Sequence, residues 1–117
     1  MTRFVIIEFP SNLGLRPTGV ENLPDALRRA GLHEQLGSPR TERVDVLVSY
    51  DRSRPRDTGV LNAGALKETP VSLAGQVAAV VRAGDLPLVL AGDCSVVLGG
   101  LLGHLPRAKR PTWIWRW

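Results

Sequence analysis

The side chains of this chain best suited to chemistry stand together in one short turn, Gly92-Asp93-Cys94-Ser95. The turn follows the apolar run 86–91 and precedes a second apolar run, so it is predicted to join a strand to a helix. Ligands of open α/β sheets bind at the carboxyl ends of strands, where the start of a helix adds a positive dipole. Gly92 permits a tight turn beside a carboxylate, a thiol and a hydroxyl. From local chemistry alone, a binding turn and a structural helix cap are equally favoured.

The other candidate side chains stand alone in the sequence. Cys94 is the single cysteine, which excludes an intramolecular disulfide and is typical of a reducing compartment, so we predict a cytoplasmic location. Free cysteines mostly behave as small buried hydrophobes, and one ligand cannot hold a metal tightly, so burial is favoured for Cys94 over a metal role. His33 and His104 fall at predicted helix ends without partners. We predict surface or helix-dipole positions for both and no ligand role.

Strand and helix signals alternate along the chain and must position this turn. Apolar, β-branched runs predict three buried strands, and helical spacing with capping signals predicts three helices. The strands are predicted near residues 3–9, 44–49 and 86–91. The helices are predicted near residues 22–31, 70–83 and 95–104. Such alternation is typical of a parallel sheet that is covered by helices and joined by right-handed crossovers, which makes the fold class α/β.

Caps and turn residues set the predicted boundaries. Asn22 is predicted to cap the first helix and Gly31 to end it. Thr69-Pro70 is predicted to cap and begin the second, because proline suits a first helical turn. The polar stretch 50–68 then becomes a long connection, and connections of that length are usually functional or poorly ordered. Both interpretations stay open.

Length and charge limit the class of protein. A chain of 117 residues is long enough for one domain and not two. Fifteen Lys and Arg against eleven Asp and Glu leave a net charge of +4, but the basic residues are scattered and no nucleic-acid reader motif accompanies them, so no nucleic-acid partner is predicted. The first apolar run is short and is interrupted by Glu8, which excludes it as a signal peptide or membrane span and predicts no membrane partner.

Two segments resemble the arginase and agmatinase (ureohydrolase) family. Residues 87–99 are similar to that family's pattern of an apolar strand running into Gly-Gly-Asp-His-Ser and a glycine-containing helix. Residues 14–32 are similar to its N-terminal loop, Gly-Val-Glu followed by proline, and its Leu-Arg-x-Ala-Gly-Leu helix. Together the resemblance extends from Phe4 to Leu102. It implies the N-terminal part of a three-layer α/β/α fold.

The resemblance also implies an activity and a ligand set. The family's histidine in this turn is a ligand to one of two manganese ions, whose bridging hydroxide attacks the guanidinium carbon of arginine, agmatine or a related compound and releases urea. Cys94 stands at that histidine's position, and a soft thiolate suits manganese poorly. The resemblance gives Gly92, Asp93 and Ser95 roles in the turn or in supporting the ligand. No catalytic residue is assigned.

Further departures from the family shape the prediction. Its other ligands lie in an Asp-x-His-x-Asp turn and a later Asp-x-Asp turn, and the sequence contains neither. Residues 1–117 are therefore predicted to be one incomplete domain that binds no metal tightly and is inactive by itself, although the complete enzyme would take manganese and a guanidino small molecule. The alternative is a non-catalytic α/β module that binds an anion or a protein partner.

The aromatic tail and the third strand carry a last expectation. The tail 106–117 is either a remnant of a fourth strand or an unrelated segment, and it is long enough to shield only part of a sheet edge. The resemblance places later strands of the family beside the strand 86–91. Without them that strand becomes an open apolar edge, which predicts self-association.

Overall fold

The computed structural model describes residues 3–46 and 50–105. They form three strands, four α-helices and a 3₁₀ turn at Val20–Asn22. The strands are β1 Phe4–Phe9, β2 Arg40–Arg43 and β3 Leu86–Ala91. The helices are α1 Leu23–Arg29, α2 Leu32–Gln35, α3 Ala63–Arg82 and α4 Val96–His104. No helix in the described part of the chain is long and apolar enough to cross a bilayer.

The sheet has the order β2-β1-β3, and both pairings are parallel. Val5 lies opposite Arg40 on one side, and Phe4 lies opposite Leu86 on the other. The predicted parallel sheet of an α/β fold is therefore confirmed, and the first and third strands lie within a residue of their predicted bounds. Since β1 is central, its apolar run is buried on both faces, as expected of a parallel strand covered by helices.

The two faces of β1 meet different neighbours. On one face Val5, Ile7 and Phe9 join the main core, to which α3 contributes the predicted apolar stripe of Leu73, Val77 and Val80. On the other face Glu8 contacts side chains of α1 and α2. The sheet is thus covered on both sides, and its two layers differ in polarity.

The predicted position of the second strand was wrong. β2 begins at Arg40 and ends at Arg43, so residues 44–46 follow the strand, and 47–49 lie outside the described residues. Val44 is nevertheless buried in the core, and its N–H donates to the Glu8 carbonyl at 2.9 Å. The β-branched run marked burial beside the sheet, whereas the paired edge residues are polar because one side of an edge strand faces solvent.

The first predicted helix is two helices. Gly31, at φ 85°, separates α1 from α2, so the predicted stop at this glycine is confirmed. The predicted Asn22 cap was wrong, since Asn22 makes no side-chain capping hydrogen bond. Its backbone is already helical and closes the 3₁₀ turn, whereas a capping side chain needs an extended backbone.

Helix α3 begins earlier than predicted. Its first residue is Ala63, and Pro70 lies inside the helix rather than in its first turn. Residues 63–68 are therefore helical. Because β2 also ends earlier than predicted, the long connection is displaced to residues 44–62 and is not shortened. Asn62, in the left-handed conformation at φ 52°, precedes the helix. Pro70 removes one amide hydrogen bond within the helix, a loss that tertiary packing outweighs here because the residue is buried.

Helix α4 lies close to its predicted bounds and packs on α3 through glycines. A Cβ atom at Gly103 would lie 2.6 Å from the Val77 Cβ, and one at Gly99 would lie 2.7 Å from the Pro70 carbonyl oxygen. Both distances are shorter than any normal contact, so only glycine permits this approach of the two helices. The approach fixes the start of α4, and therefore the turn that precedes it.

Candidate functional site at the carboxyl end of β3

The turn 92–95 lies where the sequence placed it, between the end of β3 and the start of α4. Parallel pairing brings the loop after β1 to the same end of the sheet. Gly92 makes this junction possible, because a Cβ atom there would collide with the carbonyl oxygens of Ser11 and Val20. The turn is therefore in close backbone contact with the segment that follows β1.

Asp93 ties these two segments together. Its Oδ2 accepts a hydrogen bond from the Gly14 amide at 2.8 Å, and its Oδ1 accepts one from the Ser95 hydroxyl at 3.0 Å. The residue is buried. A carboxylate that accepts from an amide makes a charge-assisted hydrogen bond, stronger than one between neutral groups. Asp93 thus organises the loop after β1 rather than capping the amides of α4.

Ser95 supports this arrangement through its hydroxyl. It is the residue before α4, and its side chain makes no capping hydrogen bond to the helix. The Val97 amide instead donates to the Cys94 carbonyl at 3.1 Å. The Ser95 side chain thus binds Asp93, and the first turn of α4 is held by a backbone hydrogen bond.

Cys94 is exposed, so the interpretation of a buried hydrophobic thiol was wrong. Gly92 lies against the loop after β1 and Asp93 is buried, whereas Cys94, the next residue, lies at the surface at the carboxyl end of the sheet. The side chain at the position of the family's histidine is accordingly accessible. Its accessibility is compatible with contact to a ligand and does not by itself create a metal site.

The donors around the turn do not make a manganese site by themselves. No cluster of three or more His, Cys, Asp or Glu residues that could hold a metal ion occurs among residues 3–46 and 50–105. Both Asp93 oxygens already accept hydrogen bonds, and the remaining donor, Cys94, offers sulfur where manganese prefers oxygen and imidazole. A metal step through these residues alone is therefore not supported.

Asn62 is a positioning residue that the sequence did not reveal. Its Nδ2 donates to the Leu13 carbonyl at 3.0 Å, and its Oδ1 accepts from the Asp51 amide at 2.7 Å. One buried side chain therefore joins the loop after β1 to the connection after β2. An asparagine before a helix is a common cap, so its sequence context gave no sign of this bridging role.

A buried ionic cluster on the other face of β1 was also missed. Glu8, which is 1% exposed, accepts from Arg28 at 2.7 Å and from Arg43 at 3.3 Å. His33 is buried, which corrects its predicted surface position, and its Nε2 lies 3.3 Å from Glu8 Oε1 without hydrogen-bond geometry. His104 makes a local contact, 2.9 Å from its Nδ1 to the Gly100 carbonyl oxygen. A glutamate inside an apolar strand was the available signal for this cluster.

Comparisons with known proteins agree on one family. A profile of the arginase family matches residues 2–115. Arginase from Bacillus caldovelox is 34% identical over 94% of this chain and 38% of its own length, and human arginase-1 is 35% identical over 85% of this chain and 32% of its own. The solved Bacillus caldovelox arginase structure superposes with a TM-score of 0.76 at 35% identity, covering 88% of this chain and 36% of that one. The chain thus spans about a third of the length of these relatives.

Proposed function

Because this chain belongs to the arginase family, we propose that it forms the N-terminal part of a ureohydrolase. The reaction is metal-dependent hydrolysis of a guanidino C–N bond in arginine, agmatine or a related compound. The observation that carries this proposal is the Asp93 hydrogen bond to Gly14, since it joins the two segments with which the family resemblance began. A cytoplasmic location belongs to the same proposal, in keeping with the single cysteine.

Within that enzyme the residues of this chain would hold the loops and present a ligand, and would not themselves react with the substrate. Gly92 permits the close backbone approach, Asp93 holds the loop after β1, and Cys94 presents its thiol at the family's ligand position. Manganese in the complete enzyme would supply an activated water for attack on the guanidinium carbon. The chain alone brings too few of the necessary ligands, so we propose that it has no guanidinohydrolase activity by itself.

A complementation experiment tests this proposal. The purified chain is assayed for manganese-dependent urea release from arginine and agmatine, first alone and then with a separately produced Bacillus caldovelox arginase polypeptide that lacks the matched third. We expect no release from the chain alone. We expect release from a co-eluting complex, increased by Cys94→His because imidazole suits manganese better than a thiol does.

Two results would contradict the proposal. Turnover by the chain alone would show that the site needs fewer ligands than we infer. A complex that co-elutes yet stays inactive, even with Cys94→His, would remove the catalytic role and favour the alternative of a non-catalytic α/β module. A manganese titration of the same complex separates these functions, because only the hydrolase requires the metal.

A further inference from the structure

A concave surface lies at the same end of the sheet, between the loop after β1 and the connection after β2. It encloses about 490 Å³, which is within the size range of small-molecule sites. Its lining includes Arg16, Thr18, Tyr50, Arg52, Arg54 and Leu61. We call it the arginine pocket after the three arginines that line it. The proposed hydrolysis gives this pocket no role.

The charge of the arginine pocket is uncompensated within the described residues. Arg16, Arg52 and Arg54 form no ion pair there; the ion pairs of residues 3–46 and 50–105 involve other arginines. Arg54 donates once, to the Gly59 carbonyl at 3.1 Å, which leaves most of its five donors free. Three arginines that line one small concave surface raise the local positive potential and attract anions.

Asp51, the neighbour of Arg52 in sequence, forms no ion pair with the pocket arginines among the described residues. Asp51 accepts from the Ser53 amide and the Ser53 hydroxyl, both at 2.8 Å. These hydrogen bonds lower the pKa of Asp51, so it is ionised at neutral pH, but it does not line the pocket. The lining therefore carries three cations and no acid.

The two walls of the pocket are held together by Asn62. Its amide binds Leu13, three residues before Arg16, and Asp51, next to Arg52. Because this bridge is buried and both of its ends are used, the two arginine-bearing segments are fixed relative to one another. A prearranged site spends less binding free energy on ordering its loops.

We propose that the arginine pocket binds a small multivalent oxyanion, a phosphate group or a polycarboxylate. A ligand with two or more negative charges matches three guanidinium groups better than a single carboxylate does. Guanidinium forks bind such oxygens in pairs. The lining residues Thr18 and Tyr50 also carry hydroxyl groups. The site is a binding function that needs no metal, so it stands independently of the hydrolase proposal.

The test uses the full chain in metal-free buffer at constant ionic strength. Inorganic phosphate and citrate are titrated by calorimetry, with chloride as the background anion and agmatine as a cationic control. We expect saturable binding of at least one oxyanion and none of agmatine. Arg52→Gln and Arg16→Gln should each weaken binding about tenfold, the usual effect of losing a hydrogen bond to a charged group.

Arg56→Gln is the matched control, because Arg56 belongs to the same connection and does not line the pocket. It removes the same charge and should change affinity less than twofold. Asn62→Gly keeps the left-handed backbone but removes the bridge, so it should weaken binding with all three arginines present. Binding of phosphate alone or citrate alone supports the site and identifies its ligand class. Binding of neither, or equal losses in Arg52→Gln and Arg56→Gln, would overturn the proposal.

Discussion

The two edges of the sheet are built in opposite ways. β2 has four residues, Arg40-Thr41-Glu42-Arg43, and its charges are paired at the surface, with Arg40 3.1 Å from Glu42 and Arg43 2.9 Å from Asp25. β3 has six residues, Leu86-Pro-Leu-Val-Leu-Ala91, and pairs with β1 on one side in the described part of the chain. Four side chains of α4 and the residue that follows it are exposed and apolar: Val97, Leu98, Leu101, Leu102 and Leu105.

The comparison indicates that the β2 edge is suited to contact with solvent. Short, charged edge strands discourage pairing with other chains, and β2 has both properties. β3 is longer and apolar, and the exposed face of α4 adds an apolar surface of its own. Among the described residues, β3 and α4 therefore form the more apolar side of the molecule.

The largest effect is expected from charging that surface. We expect the isolated chain to self-associate, and the double variant Leu98→Lys, Leu102→Lys to weaken association at least about tenfold, since burying one leucine contributes about 1.5–3 kcal/mol. Both leucines are exposed, at 57% and 47%, so the fold should persist. Sedimentation velocity over a range of concentrations measures the effect.

Thr41→Lys on β2 is the control and should change association little, because that edge is already charged. A concentration-independent monomer of the unaltered chain would contradict the prediction. Equal effects of the β2 and α4 variants would remove the distinction between the edges.

The next effect concerns the inner face of α4. Gly103→Ala places a methyl group 2.6 Å from the Val77 Cβ and should lower the free energy of unfolding by about 1–3 kcal/mol through overpacking. Gly100→Ala meets nothing within 4 Å and should raise it by about 0.5–1 kcal/mol, because alanine favours helix. Urea unfolding followed by circular dichroism compares the two. The same sign for both would show that α4 is not anchored through glycine contacts.

On the β2 side we expect the free energy of unfolding to depend more on a buried carboxylate than on an exposed one. Glu8→Gln keeps the shape but weakens the hydrogen bonds from Arg28 and Arg43, and it should cost about 1–2 kcal/mol because those partners are themselves half-exposed. Glu42→Gln removes a surface pair with Arg40 and should cost less than about 0.5 kcal/mol. Equal losses in chemical denaturation would contradict the importance of burial.

The smallest effect is a response to acid. The hydrogen bond from Arg43 lowers the pKa of Asp25 below its ordinary value of 3.8, and the same pair raises that of Arg43. A carboxyl group whose pKa is lower in the folded state stabilises the fold at pH values above its unfolded-state pKa. This contribution is lost as the pH falls through the folded-state pKa. Asp25→Asn should therefore make the melting temperature fall slightly less steeply between about pH 5 and 2. Near neutral pH the slope of melting temperature against pH should not change. High salt should reduce the difference, because the pair is exposed.

Sequence patterns predicted the strands and helices that are apolar and locally signalled. β1, β3 and α4 follow their runs closely, whereas β2 does not, because its polar residues are selected by an edge position that only the tertiary pairing with β1 defines. The start of α3 was hidden by Pro70, whose usual place in a first turn gave the wrong boundary.

The site was predictable in position and not in detail. The turn 92–95 lies where a strand gives way to a helix, as its sequence indicates. The Asp93 bond to Gly14 joins residues far apart in sequence, and the exposure of Cys94 depends on how the turn is directed. Neither follows from spacing, because both are set by packing between the loops after β1 and β3.

The central place of β1 has a consequence for synthesis. Of the three described strands, β1 leaves the ribosome first, yet Arg3, beside its start, contacts Asp85, 82 positions later. At roughly 5–20 residues per second, the strand waits for several seconds before β3 is available. During that interval its apolar side chains have no β3 neighbour, so binding by a chaperone to the nascent N-terminal segment would favour the yield of folded chain.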